Sequence, residues 1–241
     1  MNVVVIGCGN VGTNLARALP LAGHSTTLVS SRTLEGLPAA ADVFIVAVKD
    51  DALRGVGERL FGLRPQAFVV HTAGSLTLND LPSPRRGVLY PLQTFSKQRM
   101  VDFRSLPIFI EAASDEDLAT LQTLAGSLTT RCYVMSSAER AYLHVAAVFC
   151  CNFANHLSTL AAGLLERHGI PFEVMLPLLD ETINKLHTLP PREAQTGPAV
   201  RHDEGVLRQQ LALLSRESNT RLAEIYSLLS ESIRQTHPQN P

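Results

Sequence analysis

The sequence predicts an α/β fold, a doubly wound sheet, followed by an all-α second domain. Three observations carry this. Val3 to Ile6 form an apolar, β-branched run that leads directly into Gly7-Cys8-Gly9-Asn10-Val11-Gly12 and then into helically spaced residues from Thr13 to Leu19. Strand-like and helix-like segments then alternate as far as Val134, the rhythm of a sheet with helices on both faces. From the capping-box start Ser136-Ser137-Ala138-Glu139 onward no strand-like run follows. The boundary is therefore expected near Met135, with residues 1–135 in the first domain and 136–241 in the second.

Composition narrows the class. At 241 residues and 45% hydrophobic content a substantial core is possible, and a formal net charge of −1 gives no electrostatic footprint for nucleic acid. No Lys/Arg run suggests an anionic membrane surface. Cys8, Cys132, Cys150 and Cys151 show neither a C-x-x-C pair nor a secreted-scaffold spacing, so they read as reduced thiols of a cytoplasmic protein with no metal site. The N-terminal apolar run lacks a basic flank and is broken by glycine, unlike a signal peptide. Ala141 to Leu165 contains no Asp, Glu, Lys or Arg and is long enough to span a bilayer. His144, Asn152, Asn155, His156, Ser158 and Thr159 interrupt it, and a helix buried on most sides by protein is the expectation instead.

The elements follow in order. In the glycine turn Gly7 permits the tight bend, Gly9 lets backbone approach a pyrophosphate, and Gly12 lets helix and strand pack closely. Cys8, Asn10 and Val11 supply further backbone N–H groups at the helix N-terminus, where phosphate is favoured. The second strand, Ser25 to Val29, ends in Ser30-Ser31-Arg32. A dinucleotide lacking the 2′-phosphate is usually held there by a carboxylate. Two hydroxyls and a guanidinium suit a 2′-phosphate, so NADP(H) is expected over NAD(H), with a solvated loop cation as the alternative for Arg32.

The third strand, Ala41 to Val48, ends at Lys49, and ligands lie outside the carboxyl ends of such strands. Ala47, Val48 and Lys49 should line the cofactor. By the same rule His71, Thr72 and Ser75, at the end of the strand from Ala67, point toward the nicotinamide, unless His71 is a hydrogen-bonded strand-end residue. Strand Gly87 to Tyr90 opens into Pro91-Leu92-Gln93-Thr94, a loop placed to touch substrate through Gln93. Leu106 to Glu111 is a further strand, Ser114 caps a helix through Leu128, and Arg131 to Val134 closes the sheet. Helices are expected over about 137–168, from Pro177, and from about Asp203 to Gln235, with a proline-rich loop at 190–199.

Candidate chemistry sits where the strand ends meet the helical half. At about 100° per residue His144, Asn152, Asn155 and Thr159 share one face of the long helix, either facing substrate or as satisfied core groups. Hydride transfer to a carbonyl or imine needs a proton donor, and His144 and Lys185 are the candidates. Lys185 equally suits an ion pair with Glu181. Around Thr196, Arg201 could clamp an anionic substrate or pair with Asp203 or Glu204, while Asp203 caps the last helix.

Gly7-Cys8-Gly9-Asn10-Val11-Gly12, His71-Thr72-Ala73-Gly74-Ser75, Tyr90-Pro91-Leu92-Gln93-Thr94-Phe95-Ser96, His144 to Phe149, Asn152 to His156 and Gln195-Thr196-Gly197-Pro198-Ala199 carry a resemblance. The N-terminal half is similar to the Rossmann-type NADP-binding domain of pyrroline-5-carboxylate reductases, ketopantoate reductases, 6-phosphogluconate dehydrogenases and deazaflavin-dependent NADP oxidoreductases. Nearly the whole chain resembles bacterial Rossmann-like proteins whose helical C-terminal half is a domain of unknown function. The resemblance implies a C-terminal domain like that of 6-phosphogluconate dehydrogenase, which usually dimerises. It also implies an NADP-dependent oxidoreductase acting on a small polar carbonyl, imine or hydroxy acid, with Asn152 orienting nicotinamide and substrate. The hydroxyacid dehydrogenases carry a lysine four residues before that asparagine; here the position is Val148, which opens the alternative of a non-catalytic dinucleotide-binding regulatory or redox-sensing protein.

Overall fold

Seven strands form one sheet in the order β2-β1-β3-β4-β5-β6-β7. They are β1 (Asn2–Ile6), β2 (Ser25–Val29), β3 (Val43–Val46), β4 (Val69–His71), β5 (Arg86–Pro91), β6 (Ile108–Ala112) and β7 (Cys132–Val134). The structure, a computed structural model, describes residues 1–238. Strands β1 to β5 are mutually parallel, so their carboxyl ends share one edge. β6 runs antiparallel to β5, and β7 runs parallel to β6, so the last two strands reverse direction.

Helices α1 (Asn10–Leu21), α2 (Asp50–Leu63) and α3 (Asp115–Leu128) cover the sheet. Side chains alternate between two faces, and both faces are covered, which explains why β1 and β3 are apolar at nearly every position. On one face Val3, Val5, Ile45, Val70 and Leu89 pack with Leu15, Leu19, Leu121 and Leu124. On the other Val4, Ile6, Phe44, Val46 and Val69 pack with Leu53, Val56 and Leu60. Each such side chain contributes about 1.5–3 kcal/mol by leaving water.

After β7 the Ser136–Glu139 capping box starts α4 (Ser137–Ala147). A π-helical turn, Val148–Phe153, then runs into α5 (Ala154–Arg167). The chain divides into two compact units, one from Met1 to Phe153 and one from Ala154 onward. The change from strands to helices at Met135 thus precedes the division, because α4 is fastened to the sheet. The long helix is also far less buried than expected. It is long and apolar enough to cross a membrane by length and composition, yet within the chain its apolar side chains are open, with Tyr142 82% and Phe149 65% exposed.

The second unit holds α5, α6 (Leu176–Lys185), α7 (Pro191–Ala194), α8 (Glu204–Leu214) and α9 (Arg221–Thr236). Two expectations need correction. The stretch from Asp203 to Gln235 is two helices, interrupted at Ser215–Thr220, where Asn219 accepts from the Arg221 amide and restarts the helix. The proline-rich loop contains a single helical turn, α7, because prolines at its first positions lack N–H groups that would be unbonded there anyway.

Candidate functional site

At the carboxyl ends of β1 and β3 the backbone forms a cradle. Gly7 sits at φ +119°, a region L side chains rarely adopt, and a Cβ on it would strike the Ala47 carbonyl. A Cβ on Gly12 would drive into the Gly7 carbonyl oxygen. Gly9 differs: the nearest atom to a Cβ there is the Ala47 oxygen at 4.0 Å, so the space above it is open. Gly9 is the N-cap of α1 with no side chain capping it, and Cys8, Gly9 and Asn10 are exposed while Val11 is half-buried. Open space above free amides at a helix N-terminus suits a phosphate group, so these residues fit a dinucleotide. Ala47 is buried beside Gly7, Val48 is half-buried, and Lys49 is the exposed N-cap of α2.

At the end of β2, Ser30 and Arg32 are exposed and Ser31 is half-buried. The Arg32 guanidinium makes no hydrogen bond or ion pair with another described residue. Arg59 on α2 donates to the carbonyls of Ser31 and of Arg32, the latter at 2.8 Å.

At the β4 end His71 is the hydrogen-bonded strand-end residue that stood as its alternative. His71 is fully buried, its Nδ1 accepts from the Ala73 amide at 3.1 Å, and its Nε2 lies 3.1 Å from the Thr77 carbonyl. Nε2 therefore carries the proton and the ring is neutral. Burial is the main cause of a pKa lowered to about 4. Both nitrogens are engaged inside the fold, so His71 shapes the loop from Thr72 to Thr77 and has no ring nitrogen free to bond a nicotinamide. Thr72 is half-buried, and the exposed Ser75 hydroxyl donates to Asp50 at the start of α2.

The reversed direction of β6 and β7 gives α4 its path. It starts beside Glu111 on β6 and returns toward the carboxyl end of β5. Arg140, fully buried, donates to Glu111 at 2.8 Å, to the Leu76 carbonyl at 2.6 Å and to the Ser137 hydroxyl at 3.0 Å. Ser137 in turn donates to Glu111 at 2.6 Å and accepts from the Leu78 amide. Burial pushes the Glu111 carboxyl up, but the hydrogen bonds from Arg140 and Ser137 outweigh it and hold it below the usual range. One turn further on, His144 Nδ1 lies 3.0 Å from the Tyr90 hydroxyl. Burial raises the pKa of Tyr90, so the phenol stays protonated. His144 Nε2 has no partner among the described residues. Gly74 makes room for this ring, since a Cβ there would lie 2.5 Å from Nδ1.

Tyr90, Arg140 and Glu111 were missed as functional residues by sequence reasoning. So was Asn14, which is fully buried in α1 and bonds the Ser96 carbonyl and the Val101 amide, holding the loop after β5 against the cradle helix. An arginine and an asparagine at core-facing helix positions are the signal that could have found two of them. Gln93, in that loop, is exposed and accepts from the Thr94 amide.

The expected polar stripe assumed an uninterrupted α-helix. The π-helical turn contains Asn152 and falls between His144 and Asn155, so the 100° spacing does not carry across it. Asn155, Lys185, Thr196 and Arg201 belong to the helical unit. Lys185 is half-buried at the end of α6 and makes no ion pair with Glu181 among the described residues. Asp203 caps α8 through the Val206 amide at 3.1 Å, and Glu204 pairs with Arg234, leaving Arg201 exposed. A hollow of about 390 Å³ lined by Leu21, Met100 to Arg104 and Leu128 lies at the other end of α1 from the cradle.

Residues 106–233, more than half of the chain, match the family described as a domain of unknown function (DUF2520). The chain belongs to this family. The sequence matches no curated protein. Among solved structures it is similar to a candidate NADP oxidoreductase from Bacteroides fragilis, at 42% identity over 97% of this chain and 98% of that one, TM-score 0.86. A protein from Thermotoga maritima has the same fold at 17% identity, covering 98% and 100%, TM-score 0.79. So does an imine reductase from Myxococcus stipitatus in complex with NADP+, at 17% identity, covering 98% and 96%, TM-score 0.67. The fold of this DUF2520 chain is that of Rossmann-type reductases with a helical C-terminal part.

Proposed function

We propose that the protein is an NADP(H)-dependent oxidoreductase that reduces a small polar carbonyl or imine, or runs the reverse reaction on a hydroxy acid. The observation that carries this is the open cradle over Gly9, with backbone donors and an unpaired Arg32 at the next strand end. The similarity to the Bacteroides fragilis protein supports the redox class. Gly7 to Gly12 would hold the pyrophosphate, and Ser30, Ser31 and Arg32 the 2′-phosphate. When bound, the nicotinamide would supply or accept the hydride. His144 is the proton donor of this reading, because Tyr90 fixes the ring through Nδ1 and its Nε2 has no partner among the described residues. Asn152, in the π-helical turn of the same unit, is proposed to complete the substrate side.

The exposed apolar side chains of the helical unit support a homodimer formed through its helices. Calorimetry with NADPH and NADH tests the cofactor assignment. Wild type is expected to favour NADPH, and Arg32→Ala to weaken NADPH about tenfold or more while leaving NADH nearly unchanged. Substrate-dependent loss of NADPH fluorescence across keto acids and cyclic imines tests turnover. Val148 at the lysine position favours the second reading, a dinucleotide sensor, and tight NADPH binding with no oxidation in that screen would select it.

A further inference from the structure

We infer that Arg59 is a positioning residue for cofactor choice: by holding the Ser31 and Arg32 carbonyls it sets the loop that discriminates 2′-phosphorylated from unphosphorylated dinucleotide. The inference rests on the dinucleotide-binding reading above. Arg59 belongs to α2, and its guanidinium reaches the loop through two hydrogen bonds, Nη1 to the Arg32 carbonyl at 2.8 Å and Nη2 to the Ser31 carbonyl. Among the described residues it makes no ion pair. A second guanidinium, that of Arg32, stands in the same short loop, and it too has no carboxylate partner there.

The loop is also built to one shape. Leu34 is held at φ 57°, a region costly for a non-glycine residue, with its side chain buried and its amide bonded to the Ser30 carbonyl at 3.0 Å. Carbonyl oxygens turned toward a phosphate would repel it. Arg59 captures two of them, and in trans peptides the Arg32 and Thr33 N–H groups then face the opposite way. The Ser30 hydroxyl oxygen accepts from the Arg32 N–H at 3.3 Å, which leaves the Ser30 and Ser31 hydroxyl protons and the Arg32 guanidinium for a ligand. The planar fork of arginine holds both carbonyls in one fixed geometry, which the flexible, point-like ammonium of lysine does not reproduce.

Calorimetry with NADPH and NADH on Arg59→Lys and Arg59→Gln, beside wild type and Arg32→Ala, tests this. Both Arg59 variants are expected to weaken NADPH about tenfold while NADH changes less than about twofold. A wild-type ratio in Arg59→Lys would overturn the inference, since charge alone would then suffice. An unchanged ratio in Arg59→Gln while Arg32→Ala shifts it would overturn it too, as would equal loss of both nucleotides. If wild type binds neither nucleotide, the proposed function itself fails first and this inference with it.

Discussion

In the N-terminal unit Val3 to Ile6, Val43 to Val46 and the core of β6 are almost wholly withdrawn from solvent, whereas from Ala154 onward Ala199, Leu207 and Leu222 are the buried side chains among the described residues. Leu178, Ile183, Leu213 and Leu228 are each more than half exposed. The sheet closes its own core because the faces of its central strands meet helices of the same chain. The helical unit leaves its apolar surface for something else to cover. One unit is thus self-sufficient in its core, and the other leaves apolar side chains that the proposed homodimer would cover.

The largest expected effect lies in the self-sufficient unit. Arg140→Ala leaves the Glu111 carboxylate partly buried without its partner, and a loss of about 3–5 kcal/mol is expected in urea titration. The Arg167–Glu217 pair of the helical unit is more open, and removing it should cost under about 1 kcal/mol. Comparable losses at the two sites would break the comparison.

The next effect is set by pH. His71 is neutral in the fold with a pKa near 4, against about 6.5 when unfolded. Below pH 6.5 the unfolded chain takes up the proton first, so stability falls as pH drops from 6.5 toward 4, by about 3 kcal/mol at most. Above pH 6.5 this contribution is complete. Denaturation midpoints of wild type and His71→Gln across that window check it: the slope should flatten in the variant even if its overall stability is lower.

Ile183→Glu should have the smallest effect on the folded chain, within about 0.5 kcal/mol at a solvated position. If a second copy covers the helices, the same change shifts sedimentation from dimer to monomer. A wild type that sediments as a monomer would remove the contrast between the units at its root.

What the sequence made legible was what is local. The glycine turn, the Ser114 and Ser136 caps and the apolar strands are set by neighbours a few residues apart, and they stand where the spacing put them, with strand ends shifted by one or two residues. His71 was half legible: its place at a strand end was clear, but its engagement by Ala73 and Thr77 depends on how the following loop folds back. Arg140 was not legible, since its partners Glu111 and Leu76 are distant in the chain. The break at Ser215–Thr220 was missed because the apolar stripe continues on both sides of it. Exposure of the long helix was missed for a related reason: an apolar sequence says that a surface seeks cover, and not which molecule provides it.

The fit of Gly74 beneath the His144 ring makes two distant positions a single steric decision. A side chain can grow at residue 74 only if the imidazole gives way, so the two identities should change together or not at all. A glycine that resembles ordinary loop punctuation is here the counterpart of an aromatic ring seventy residues further along the chain.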